Sequence, residues 1–69
     1  MNLEDIKVGM RVIINPFCDQ GYWGVRGVVH RIEAEEYENT QNIYVKFDAP
    51  IWGGTLDSEY FYPEELDKL

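Results

Sequence analysis

From Gly24 to Phe61 the chain runs in short segments in which β-branched and aromatic positions alternate with polar ones, separated by glycine-led or polar breaks. The clearest is Ile43–Asp48, with Ile43, Val45 and Phe47 on one face and Tyr44, Lys46 and Asp48 on the other. A period of two puts alternate side chains on opposite faces of a strand, so the first set is the predicted core. Met10–Ile14 reads as an earlier strand, ended by the turn pair Asn15-Pro16, because proline cannot continue a central ladder. Gly24–Glu33 reads as a long strand in which Gly27 is a kink or bulge, bending a small sheet toward closure. Pro50 is expected to halt the Ile43 strand. Beyond it, Ile51–Ser58 is a glycine-hinged loop with room for a short strand, and Glu59–Tyr62 is the last strand.

The connections follow from the breaks. Residues Asn15–Trp23 form a long loop with aromatic pairs beside polar and glycine positions, and Ala34–Asn42 reads as an extended hairpin loop. Leu3 and Ile6, three apart and followed by Gly9, suit one helical turn at the start. Pro63-Glu64-Glu65-Leu66 suits another near the end, with proline at its first position, carboxylates near its N-terminus and Leu66 turned into the core. The expectation is an all-β fold: one domain over residues 1–69, a single small barrel of about five strands with short helical turns near both ends.

Length limits what such a fold buries. A chain of 69 residues hides only roughly 60% of the surface it exposes when unfolded, so its ten aromatic residues are the natural source of core area. The single cysteine, Cys18, leaves no internal disulfide, which fits a reducing, cytoplasmic setting. The acidic opening Met1–Asp5 has no apolar signal region, and no apolar run reaches the roughly 18 residues that cross a bilayer. The reading is of a soluble protein, whole from its first methionine and away from membranes.

Charge changes the picture of the partner. The net charge is −7; residues 1–32 sum to +1 and residues 33–69 to −8. Such a field repels phosphate, so counterion-release binding of nucleic acid is disfavoured and a basic partner protein is favoured.

The segments Val8-Gly9-Met10-Arg11-Val12, Gly27-Val28-Val29 through Ile32, Tyr44-Val45-Lys46-Phe47 and Tyr62-Pro63-Glu64-Glu65-Leu66 together resemble a small SH3-like barrel of the bacterial or phage type, the superfold that includes KOW and Tudor-like modules. That resemblance covers nearly the whole chain. It implies five short strands in a barrel and a binding role toward proteins, peptides or nucleic acids rather than catalysis. The acidic Glu33, Glu35, Glu36 and Glu38 stand where a KOW-type module carries a basic loop. Phe47-Asp48-Ala49-Pro50 with Gly53-Gly54 faintly resembles a CAP-Gly peptide binder, but the Gly-Lys-Asn-Asp-Gly run of that family is absent.

Candidate chemistry is sparse. One histidine, His30, and one thiol, Cys18, make neither a zinc site nor a nucleophile pair without a third orienting group. Neighbouring carboxylates such as Glu35-Glu36 and Glu64-Glu65 sit in polar stretches, and Gly21, Gly24 and Gly27 lack the lysine and helix of a phosphate loop. No enzyme, metal or cofactor is expected. The loop aromatics Phe17, Tyr22, Trp23 and Trp52 are the expected partner-binding residues, with Asp19 and Asp57 favouring a basic peptide. Barrel pairing would also gather Arg11, Arg26, His30 and Lys46 on an outward sheet face, a possible nucleic-acid face.

The leading expectation is therefore a non-catalytic protein-interaction module, a monomer or a weak homodimer through an edge strand. The alternatives are a nucleic-acid-associated accessory domain, or an acidic phage-type protein that blocks a host nucleic-acid-binding site.

Overall fold

A computed structural model describes residues 1–18, 20–33 and 41–69. Asp19 and Ala34–Thr40, the bulk of the expected hairpin loop, lie outside the described residues. The chain forms five antiparallel strands in one sheet: β1 (Arg11–Ile14), β2 (Arg26–Ile32), β3 (Ile43–Ile51), β4 (Leu56–Phe61) and β5 (Leu66–Lys68). Their order is β4-β3-β2-β1-β5. Short 3-10 turns at Leu3–Asp5 and Pro63–Glu65 complete the elements. No helix among the described residues is long and apolar enough to cross a membrane.

The register follows the alternation. Ile43, Val45 and Phe47 face inward and are buried, and β4 pairs Phe61 with Ile43 and Tyr60 with Tyr44. Val12 and Ile14 of β1 and Val29 of β2 complete the strand contribution to the core, which Ile6, Cys18, Tyr22 and Leu66 close. Leu66 is fully buried as expected, but it begins a strand rather than ending a helical turn. That strand pairs with β1 through Val12↔Lys68, Ile13↔Asp67 and Ile14↔Leu66. Asn15 ties the same corner: its N–H donates to the Glu65 carbonyl at 2.8 Å and its Nδ2 to the Glu64 carbonyl at 2.7 Å. Its Oδ1 accepts the Phe17 N–H at 2.9 Å, the side-chain turn that Asn-Pro sequences favour.

Three local readings are corrected. Pro50 does not halt β3, which continues to Ile51. The β3–β4 register shifts between Lys46 and Ile51, and β2 pairs with β3 only as far as Phe47, so the missing N–H of Pro50 falls where no ladder bond is due. The last long strand starts at Leu56, inside the expected loop, and ends at Phe61.

Gly27 is not the bulge. The β2–β3 register slips between Val29 and Arg31, at His30, whereas Gly27 pairs regularly with Val12 and Phe47. Its role is close approach: a Cβ there would lie 2.5 Å from the Lys46 carbonyl oxygen and 2.8 Å from Val45 Cγ1. Backbone cannot yield as a flexible side chain does, so Gly27→Ala is expected to destabilise the fold by about 1–3 kcal/mol. A lowered denaturant midpoint at unchanged slope will report it, and an unchanged midpoint would refute the close-approach role.

The sheet has two edges, β4 and β5. On β4 the Tyr60 N–H is taken by the carboxylate of its own neighbour, Glu59, at 2.9 Å. A charged side chain on an edge amide blunts strand addition there.

Candidate functional site

Two tight turns build one end of the molecule. At the first, the Val25 N–H donates to the Tyr22 carbonyl at 3.0 Å and Gly24 takes φ 88°. This is the geometry of a turn whose third position needs positive φ. Trp23, at the second position, is thrust outward and stays 67% exposed. At the second, Trp52, Gly53 and Gly54 all have positive φ, at 53°, 69° and 87°.

For glycine that conformation is free; for a tryptophan it costs roughly 1–2 kcal/mol. Thr55 holds it in place, donating its N–H (3.4 Å) and Oγ1 (2.7 Å) to the Trp52 carbonyl. The Trp52 indole stacks on Tyr22, centroids 5.4 Å apart and planes 25° apart, yet the residue remains 61% exposed.

Tyr22 is thus not part of the exposed surface: at 5% exposure it belongs to the core. Its ring meets Phe61 edge-on at 5.7 Å and Phe47 at 6.1 Å. The rings form a continuous series from the core through Tyr22 to the exposed face of Trp52. Burial first, and then the Glu59 carboxylate, whose Oε2 lies 3.5 Å from the Tyr22 hydroxyl, raise the phenol above its ordinary value and keep it protonated. Phe17 stands on the neighbouring turn, 81% exposed, and joins no aromatic pair among the described residues. Asp57 is exposed on β4 and accepts the Ser58 hydroxyl at 3.2 Å, while Asp19 lies outside the described residues.

The outward sheet face gathers the second set. Arg11 stands opposite Val28, which stands opposite Lys46, which stands opposite Ser58. Arg26 stands opposite Ile13. The slip at His30 has a chemical effect, because a bulge puts two consecutive side chains beside one partner. His30 lies edge-on to Tyr44 at 6.0 Å, and the Arg31 guanidinium sits over the same ring at 4.7 Å.

Arg31 also donates to Tyr60 Oη at 2.5 Å and pairs with Glu33 at 3.0 Å, and Tyr60 Oη donates to Glu33 at 2.7 Å. Arg11 pairs with Asp48. Arg31, Tyr44 and Tyr60 are absent from the candidate site residues that the sequence singles out. The two tyrosines were legible in strand parity, but Arg31 was not, since an unbroken strand would turn it inward.

Cys18 and His30 are apart in the fold, one buried in the core and the other exposed on the outward face. Burial first, with the Glu65 carboxylate adding to it, raises the Cys18 thiol, and hydrogen bonds from the neighbouring backbone only partly offset this. A thiol held protonated is a poor nucleophile. Among the described residues no group of three or more His, Cys, Asp or Glu side chains is arranged to hold a metal ion.

No protein-family model matches the chain, and no curated protein matches it in sequence.

Proposed function

We propose that this chain is a non-catalytic, SH3-like binding module whose aromatic end, built on Trp52 and Trp23 with Phe17 nearby in sequence, docks a basic or peptide-like surface of a partner protein. The return of β5 to pair beside β1, with a 3-10 turn leading into it, supports the SH3-like reading of the five-stranded sheet. The observation that carries the binding role is Trp52. A bulky residue in the left-handed region, hydrogen-bonded in place and stacked on a core tyrosine while still largely exposed, is positioned for contact rather than for burial. Aromatic anchors set rigidly on a core lose little entropy on binding and dominate contact energies. The acidic total and the nearby Asp57 and Glu59 complement a cationic partner, and an exposed indole face attracts ammonium and guanidinium groups.

The test is capture of the partner from lysate of the source cell with the intact chain, with and without nuclease, followed by quantitative binding of the Trp52→Ala and Trp23→Ala variants. A protein partner that survives nuclease should bind Trp52→Ala at least about 30-fold more weakly, the loss of a hot-spot aromatic. Unchanged affinity in both folded variants would remove the aromatic end from the interface. Capture abolished by nuclease would replace the protein partner with a nucleic acid.

A further inference from the structure

Charge is sorted in this molecule. The chain carries six Lys and Arg against thirteen Asp and Glu, yet Arg11, Arg26, Arg31 and Lys46 all belong to one outward face of β1, β2 and β3, with His30 among them. The carboxylates of that face among the described residues are Asp48, Glu33 and Asp67. Two of these are already engaged by arginines, Asp48 by Arg11 and Glu33 by Arg31. Asp67, opposite Ile13, accepts Asn15 Nδ2 at 3.3 Å. Arg26 and Lys46 are exposed and have no ion-pair partner among the described residues. They flank the half-buried Ile13 and Val28, which the register places opposite Arg26 and Lys46 respectively.

From this we infer that the outward face of β1–β3 is a second binding surface, separate from the aromatic end, and that it takes an acidic polypeptide segment with alternating carboxylate and apolar side chains. The face already shows its preference: each arginine that has a partner holds a carboxylate. The apolar pair Ile13 and Val28, bordered by Arg26 and Lys46, offers contact to side chains between the acidic ones. An extended segment presents side chains at the same period of two as the strands beneath it.

A single-stranded nucleic acid fits less well. Such a ligand stacks its bases on open aromatic faces and neutralises several phosphates. Here Arg31 covers Tyr44 at 4.7 Å and lies 5.9 Å from Tyr60, so those ring faces are not open to a base. The net charge of −7 opposes either polyanion, but screening over roughly 8 Å at physiological salt leaves a short ligand of either kind to meet chiefly the nearby Arg26 and Lys46.

The experiment titrates the isotope-labelled full chain with a short alternating Glu-Leu peptide and, separately, with oligo(dT) of equal charge, following backbone amide shifts. The peptide should give saturable shifts confined to β1, β2 and β3. The double reversal Arg26→Glu and Lys46→Glu should weaken it by roughly tenfold, and both sites are exposed, so the dispersed spectrum of the fold should persist. Trp52→Ala should leave the titration unchanged, which separates this surface from the proposed aromatic site. Peptide binding that is absent, indifferent to the reversal, or lost in Trp52→Ala would overturn the inference. So would tighter binding of oligo(dT) through the same residues, which would make the face a nucleic-acid surface.

Discussion

Phe61→Ala should lower the melting point of the chain by at least about 12 °C. Phe61 is fully buried at the end of β4, paired with Ile43, and its ring meets Tyr22 at 5.7 Å and Phe47 at 6.2 Å. Truncating a buried phenylalanine costs about 3–5 kcal/mol, the lost transfer energy plus the cavity left behind. At about 0.05–0.15 kcal/mol per residue, the stability of a 69-residue fold is roughly 3–10 kcal/mol, so this one substitution removes a large part of it. Each kcal/mol moves the melting point of a domain this small by about 4–8 °C. Thermal unfolding followed by circular dichroism should therefore show a fall of at least about 12 °C. Phe61→Leu, which keeps most of the apolar volume, should fall well short of that. A melting point for Phe61→Ala within a few degrees of the parent would mean that the core is not organised around this ring.

The core strands were legible in the sequence because one face of each is buried, and burial enforces a period of two. Ile43, Val45 and Phe47 alternate without interruption, and the structure keeps them on the inner face. The errors cluster where that rule lapses. A glycine in a strand marks either a bulge or a close approach, and composition alone does not separate Gly27 from the slip at His30. Pro50 looks like a stop in the sequence because its tolerance depends on β2 pairing no further than Phe47, a fact of register rather than of local sequence. β5, only three residues long, carries too short a pattern to show periodicity, and its pairing with β1 is long-range.

The candidate sites divide in the same way. Exposed Trp23, Trp52 and Phe17 follow from their places in glycine-rich loops, and the placing of Arg11, Arg26 and Lys46 follows from parity. Tyr22 and Trp23 are adjacent and chemically similar, yet one is buried and the other exposed. Only the turn geometry at Gly24 determines which ring enters the core.

Tyr22 links the core to the aromatic end, so its two substitutions separate stability from positioning. Tyr22→Ala removes the ring that Phe61, Phe47 and Trp52 all contact. It should cost about 3–5 kcal/mol, as for other large buried aromatics. Where the fold survives, it should also weaken partner binding, because Trp52 loses the surface on which it stacks. Tyr22→Phe keeps the ring and removes only a hydroxyl lying 3.5 Å from Glu59, so both stability and binding near neutral pH should stay close to the parent.

The difference between Tyr22→Phe and the parent should emerge in alkali. The folded phenol titrates above its ordinary value of 10.0 and the folded Cys18 thiol above 9.0. Between each ordinary value and the raised one, the unfolded chain has released its proton while the folded chain keeps it, so stability falls as pH rises. Below both ordinary values neither group contributes a slope. The parent should therefore lose stability from about pH 9 upward, first through Cys18 and then through Tyr22. Tyr22→Phe should flatten the later part of that limb and Cys18→Ala the earlier part. Urea midpoints measured across this range decide the matter: equal alkaline slopes in the parent and Tyr22→Phe would show that the hydroxyl is solvated in the fold, and that the ring series beneath Trp52 is looser than its geometry indicates.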